Sequence, residues 1–289
     1  MTSMGYPVHQ FSVSNILLVI LLFAHSVVVS ADDDTHSRLE VDLVGLYNPL
    51  GISLAARAYH RQVYHRDDSL LWNGLYWQSG GQATVNPAYQ RAGFHFECLP
   101  IAVMQMRAQY DRYYLTGSNG SLLAFDTAND RFGDDEIEAR EGEEQSGYGN
   151  RYLFNLTLRA KFGNIIIRNV TDMAKYEFPG EGPYYLEREY ELLMATTDYL
   201  FSNQLYLLFE NKDGKGKTTY FGPYYDYVKV RETELLRERL GVTWYQERDK
   251  AFGILQKPRW YLQTGVYLTE RNRQDEFYLV LGIGGDFEF

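Results

Sequence analysis

The sequence is poor in cysteine, in proline and in net positive charge, and each scarcity excludes a class of protein. One cysteine, Cys98, among 289 residues rules out an internal disulfide. The chain has 8 prolines against 25 glycines and 25 tyrosines, a composition that favours strands over helices. The net charge of −10 leaves no basic stripe for phosphates, so nucleic acid is not expected as a partner.

Long apolar runs are also missing, except for ILLVILLFAHSVVVSA at 16–31. Small residues at its end, followed by three aspartates at 32–34, predict a secretory signal peptide over residues 1–31, cleaved after Ala31. Residues 1–15 contain no Lys or Arg, so an uncleaved N-terminal anchor is the alternative. Both interpretations take the rest of the chain out of the cytoplasm.

Past residue 49, apolar and polar side chains alternate with the period of a β-strand. In segment 150–164 one face is polar apart from Leu153, whereas the other carries Tyr152, Phe154, Leu156, Leu158, Ala160 and Phe162. Similar runs occur at 94–98, 102–110, 186–194, 240–244 and 260–268, separated by Gly-, Asn- and Asp-rich turns. Strands of about ten or more residues exceed the usual soluble length and suit a tilted membrane-spanning strand.

The alternation fits either a soluble sandwich with its apolar face inside or a membrane barrel with its apolar face outside. The polar face is rich in Arg, Lys and Glu from strand to strand. Aromatic residues gather near strand ends, where the girdles of a membrane barrel lie. We therefore predict an all-β fold, a transmembrane antiparallel up-and-down β-barrel, with a secreted sandwich as the alternative.

The C-terminal segment FYLVLGIGGDFEF gives this prediction a more specific form. It resembles the last strand of outer-membrane β-barrel proteins of Gram-negative bacteria, which ends in Phe after alternating apolar residues. Gly285 departs from the pattern, and five residues match it: Phe289, Phe287, Ile283, Leu281 and Leu279. The resemblance implies the bacterial outer membrane as location, its lipid and lipopolysaccharide as surroundings, and these residues as the signal read by the barrel-assembly machinery.

We predict a single barrel domain over 50–289, with 32–49 as an N-terminal arm or a partial first strand. Twelve strands are expected, and ten is the alternative. Counting back from the C-terminus places the acidic 117–149 segment at the periplasmic end, although long loops of such barrels are extracellular. The strand count is therefore wrong by one, and 218–247 is the stretch where the error is most easily made.

The polar face would form a lumen of mixed charge. Its lining candidates are His95, Glu97, Arg107, Arg159, Lys161, Glu187, Glu189 and Glu191. Since twelve strands lie between a filled eight-stranded barrel and an open sixteen-stranded one, three functions stay open. A narrow, porin-like channel is the first, a structural or surface-interaction barrel with a closed lumen is the second, and a lipid-modifying enzyme is the third.

The enzyme hypothesis depends on YLTGSNGS at 114–121, which resembles part of the outer-membrane phospholipase A motif. In that motif a His precedes Ser-Asn-Gly by two positions, and here the position is Thr116, which leaves Ser118 without a base. His95 and Glu97 are considered as an acid–base pair or, alternatively, as a hydrogen-bonded structural pair. No zinc-type spacing is present, so we predict no metal site. We also predict no cofactor and no enzyme, with a lipid hydrolase as the alternative.

Overall fold

The computed structural model describes residues 35–66, 69, 71–253 and 255–288, so the predicted signal peptide and Phe289 lie outside the described residues. Twelve antiparallel strands, neighbours in chain order, close into one barrel. They are β1 (Thr35–Tyr47), β2 (Gly51–His65), β3 (Leu75–Val85), β4 (Tyr89–Ile101), β5 (Met104–Leu115), β7 (Gly147–Phe162), β8 (Ile165–Glu177), β11 (Thr197–Lys212), β12 (Lys217–Val230), β13 (Leu236–Arg248), β14 (Gln256–Thr269) and β15 (Phe277–Glu288).

Closure depends on pairing between β1 and β15, the first and last strands. Ten residue pairs join them, including Leu43 with Ile283. Arg259 on β14 strengthens the seam, because it donates hydrogen bonds to Asp42 on β1 at 2.9 Å and to Asp286 on β15 at 2.7 Å. The segment expected to be an arm or a partial strand therefore includes a full 13-residue wall strand.

The connections differ sharply between the two ends of the barrel. At one end, the turn end, they are short and span 66–74, 102–103, 163–164, 213–216 and 249–255. At the other, the loop end, they include 116–146 and 178–196, together with 48–50, 86–88, 231–235 and 270–276. The predicted count of twelve is confirmed, and 218–247 does contain two strands, β12 and β13. All long loops now share the end that is extracellular in such barrels.

The wall is apolar outside and polar inside, as the alternation predicts. Leu281 and Ile283 of the C-terminal stripe point outward and are 50% and 40% exposed. Gly282 faces the lumen, where a Cβ would lie 2.0 Å from the ring of Tyr261. Glycine at this position therefore lets an aromatic ring lie flat against the neighbouring strand. In the described part of the chain, no helix is long and apolar enough to cross a membrane.

A second, three-stranded sheet is built from the two long loops. It consists of β6 (Ala124–Phe125), β9 (Tyr184–Glu187) and β10 (Leu192–Ala195), and a short helix, α1 (Asp134–Glu138), lies in the same loop as β6. The prediction that 186–194 is a wall strand is therefore wrong, because this stretch is a β9–β10 hairpin outside the wall. A hairpin packed against a core shows the same alternation as a wall strand, so the pattern did not separate them.

Candidate functional site

The lumen holds pairs of opposite charge from neighbouring strands. Asp111 on β5 accepts hydrogen bonds from Arg151 on β7 at 2.9 and 2.7 Å, and both side chains are buried. Asp226 on β12 accepts hydrogen bonds from Arg237 and Arg239 on β13 at 3.0 and 2.8 Å. Because an unpaired buried charge is strongly unfavourable, this pairing allows a narrow lumen to contain dense charge.

His95, Glu97 and Arg107, all predicted to line the lumen, lie together on its wall. Arg107 donates to Glu97 Oε2 at 2.8 and 2.5 Å, and Tyr76 donates to Oε1 at 2.8 Å. His95 is buried, yet neither of its ring nitrogens has a hydrogen-bond partner among the described residues. The structural His95–Glu97 hydrogen bond considered from the sequence is not formed, because Arg107 is the direct cross-strand neighbour of Glu97.

Arg159 and Lys161 lie on the lumen face of β7 near the turn end. Arg159 Nε donates to the carbonyl oxygen of Ala102 at 3.1 Å. Lys161 forms an ion pair with Glu210 on β11, and 47% of the lysine side chain is exposed. The two cations therefore differ, because Lys161 is paired with a carboxylate that is 9% exposed and Arg159 is bound to a backbone carbonyl.

The three predicted glutamates lie on the β9–β10 hairpin and not on the wall, and Glu189 lines a cavity of the lumen. Glu189 Oε2 accepts hydrogen bonds from Arg91 Nη1 at 2.6 Å and from Arg151 Nη1 at 3.1 Å, which joins the hairpin to β4 and β7. Glu191 pairs with Arg273 of the β14–β15 connection at 3.3 Å. Alternation placed these residues on a wall strand, whereas they belong to the hairpin, and Glu189 alone among them lines a described cavity.

Glu187 and Glu189 titrate differently because their surroundings differ. Burial raises the pKa of Glu187 to about 7, and the negative charge of Glu189 adds to the effect. Burial also opposes ionisation of Glu189, but Arg91 and Arg151 hold the pKa of this carboxyl below its usual value. The hairpin therefore carries one carboxylate fixed as an anion and one that gains a proton near neutral pH.

An apolar core packs the β9–β10 hairpin against the 116–146 loop and the wall at the loop end. Leu186, Leu192, Leu193 and Met194 of the hairpin are at most 1% exposed, and Leu123 of the 116–146 loop is fully buried beside them. These side chains pack on wall residues that include Tyr89, Tyr113, Tyr176 and Val230. Burial of this much apolar surface holds the two long loops across the loop-end mouth. We call these loops, 116–146 and 178–196, the plug.

Among the described residues, at least two cavities lie in the lumen beneath the plug. One of about 370 Å³ is bounded by Glu189 and Tyr190 on the plug side. The second, of about 420 Å³, lies towards the turn end. Three side chains line both cavities and therefore stand at their junction: Gln105, Thr157 and Arg168.

Arg168 is a functional candidate that was not predicted. It projects from the lumen face of β8, with its guanidinium carbon 5.8 Å from the ring centroid of Tyr206. Among the described residues no carboxylate forms an ion pair with it, in contrast to Arg107 and Arg151. The sequence signal was weak, because three consecutive isoleucines at 165–167 conceal the alternation in this strand.

The serine considered for catalysis lies in a turn at the loop end. Ser118 Oγ donates to the carbonyl oxygen of Pro87 at 2.9 Å and lies 2.8 Å from Thr116 Oγ1. No histidine contacts it in the described part of the chain. Nor do the described His, Cys, Asp and Glu side chains form a group of three that could hold a metal ion.

Comparison with known proteins gives likeness of fold alone. No family model matches the sequence, and no curated protein matches it either. The solved structures that resemble this chain include an outer-membrane protein of Vibrio cholerae and an outer-membrane channel. Similar solved structures include the β domain of the Bordetella autotransporter BrkA, at 11% identity and TM-score 0.42, which covers 87% of this chain and 98% of that one.

Two further structures illustrate how varied these neighbours are. LpxR from Salmonella typhimurium is 9% identical with TM-score 0.40, covering 86% of this chain and 99% of its own. An outer-membrane channel from Pseudomonas putida F1 is 8% identical with TM-score 0.41, covering 90% of this chain and 100% of its own. A fold does not define a function, so the function is argued from the residues of this lumen.

Proposed function

We propose that this protein is a narrow outer-membrane channel that prefers small anionic solutes and is gated by the plug. The observation that carries the proposal is Arg168, a cation without an ion-pair partner at the junction of the two lumen cavities. A solute that crosses the lumen passes this guanidinium. A fixed positive charge in a narrow, low-dielectric passage attracts anions and repels cations.

The lining of the turn-side cavity has the same sign. The two cavities are lined by six arginines, at 57, 91, 107, 151, 159 and 168, and by five carboxylates, at 40, 42, 172, 189 and 247. The charges of Arg107 and Arg151 are largely neutralised by their ion-pair partners, Glu97 and Asp111. Among the described residues, the turn-side cavity is lined by Arg159 and Arg168 and by one carboxylate, Glu247, so positive charge is in excess there.

Reversal potentials in a planar bilayer under a salt gradient test the proposal. Purified protein should favour the anion, and Arg168→Gln should lower the anion-to-cation permeability ratio several-fold. Lys257→Gln, in the turn-end strand β14 outside both cavities, is the matched control and should leave the ratio unchanged. Cation preference, or an Arg168→Gln ratio equal to that of the unaltered protein, would contradict the proposal.

The plug favours a second candidate, a structural or surface-interaction barrel whose lumen never opens. The fully buried side chains of Leu193 and Met194 show how completely the hairpin is packed. In this case the acidic 116–146 loop would be the functional surface. A barrel closed in this way gives no stepwise current in the unaltered protein.

A further inference from the structure

A groove runs along the outer wall of the barrel, away from the lumen. Its volume of about 1160 Å³ exceeds that of either lumen cavity. It crosses β5, β7, β8, β11 and β12, and its outward-facing apolar lining includes Phe154, Met173 and Phe201. Met173 is 49% exposed and Phe201 is 41% exposed, so these side chains are available to a ligand from the membrane.

Three cations border the loop-side end of the groove: Lys175, Lys229 and Arg231. Strand register places Lys229 opposite Phe201 and Lys175 opposite Tyr199. The guanidinium carbon of Arg231 lies 5.5 Å from the centroid of the Tyr199 ring. The groove is therefore apolar along its length and basic at the end nearest the loops.

Carboxylates pair with two of the three cations at this basic end, and Lys229 is left without an ion pair among the described residues. Lys175 pairs with Glu177 at 2.6 Å, and Arg231 lies 3.5 Å from Glu232. Glu234 also lines the groove. Lys229 forms no ion pair in the described part of the chain, although it stands on the lipid-facing side of β12. A cation in that position is unfavourable unless an anion compensates it.

The basic side chains are confined to one side of the barrel. In the loop-side half of the described wall, outward-facing Lys or Arg residues occur on β5, β8 and β12, at Arg112, Lys175 and Lys229. The outward positions of β13, β14, β15 and β1–β4 carry none in that half. Residues that only anchor a barrel at the membrane interface would be distributed around it. A one-sided cluster above an apolar groove indicates a ligand.

We propose that this groove binds lipopolysaccharide, with a phosphate against Lys229 and Arg231 and an acyl chain along Phe154, Met173 and Phe201. The loop end faces the outer leaflet, because the long connections of such barrels are extracellular. The lipid of that leaflet carries phosphates at the interface and acyl chains below them. Basic residues beside an apolar surface match both parts of this lipid.

Native mass spectrometry of the full-length protein in detergent tests this site. The unaltered protein should retain lipopolysaccharide and should bind dephosphorylated lipopolysaccharide at least about tenfold more weakly. The double variant Lys229→Gln/Arg231→Gln should lose affinity for the phosphorylated lipid by a similar factor. The control Lys217→Gln/Arg248→Gln removes two cations at the turn end and should bind like the unaltered protein.

Four outcomes would overturn the proposal. The first is unchanged affinity in the double variant, and the second is equal binding of the dephosphorylated lipid. The third is equal competition by phosphatidylglycerol, which would indicate attraction to any anionic lipid. The fourth is a change in oligomeric state without loss of lipid, which would assign the groove to a second copy of the chain. Heat-modifiable gel mobility verifies that each variant folds, and the dephosphorylated-lipid measurement needs no variant.

Discussion

Glu189, on the inserted hairpin, accepts hydrogen bonds from Arg91 and Arg151 on two different wall strands, at 2.6 and 3.1 Å. This carboxylate is the polar anchor of the plug, and the apolar core above it is the other attachment. Arg151 also holds Asp111, so the anchor is continuous with the charge pairs of the wall. A single residue therefore couples the position of the plug to the electrostatics of the lumen.

Asp111→Asn should destabilise the barrel, because it leaves Arg151 buried with less compensating charge. Removing one partner of a buried ion pair typically lowers the free energy of unfolding by about 3 kcal/mol. Urea unfolding in lipid vesicles, followed by gel mobility, measures the change. Asp126→Asn, the same substitution at an exposed loop position, is the control and should change it by less than about 0.5 kcal/mol.

Docking of the plug should weaken as the pH rises through about 7, the raised pKa of Glu187 in the docked hairpin. The docked state binds this proton more tightly than a solvated glutamate with its ordinary pKa of 4.5. The stabilisation of the docked plug by this proton is therefore complete below about pH 4.5 and lost as the pH passes about 7.

Trypsin cleavage at Arg188 reports this change, since the Arg188 side chain is 12% exposed in the docked plug. Cleavage there, normalised to cleavage at the exposed turn residue Lys215, should rise several-fold between about pH 6 and pH 8. In Glu187→Gln the normalised rate should not depend on pH. A pH dependence that survives this substitution would assign the effect to another group.

Gly282→Ala should impair the barrel because the new methyl group would overlap the ring of Tyr261. Displacing a packed aromatic ring costs about 1–3 kcal/mol of stability. Gly45→Ala is a matched control on the outer face of β1, where an added Cβ meets no atom within 4 Å. The temperature at which the compact gel form is lost should be lower for Gly282→Ala and unchanged for Gly45→Ala.

The wall was predictable from the sequence because its physics is local. Alternation determines which side chains of β5, β7 and β15 point outward. It therefore also predicts which acidic and aromatic side chains of these strands lie on each face. The C-terminal residues Leu279, Leu281, Ile283 and Phe287 lie on the predicted stripe. Their role, with Phe289, as the signal for the assembly machinery stays a prediction.

The plug and the lumen junction were not predictable by the same reasoning. A wall strand and a hairpin folded into the lumen obey one alternation rule, so Glu187, Glu189 and Glu191 were assigned to the wrong element. Arg168 becomes distinctive only when its neighbours are known, since an arginine with no carboxylate partner looks like any other arginine in sequence. Pairing across strands is a tertiary property, and it decides which lumen charges are free.

Single-channel recording of the unaltered protein beside Glu189→Gln tests the gated-channel proposal most directly. Neutralising Glu189 removes the charge-assisted contacts to Arg91 and Arg151 and should release the plug. We expect stepwise currents whose open probability rises several-fold in Glu189→Gln, with the reversal potential on the anion side. A folded barrel that gives no stepwise current, with or without Glu189, would contradict the proposal and establish a closed lumen.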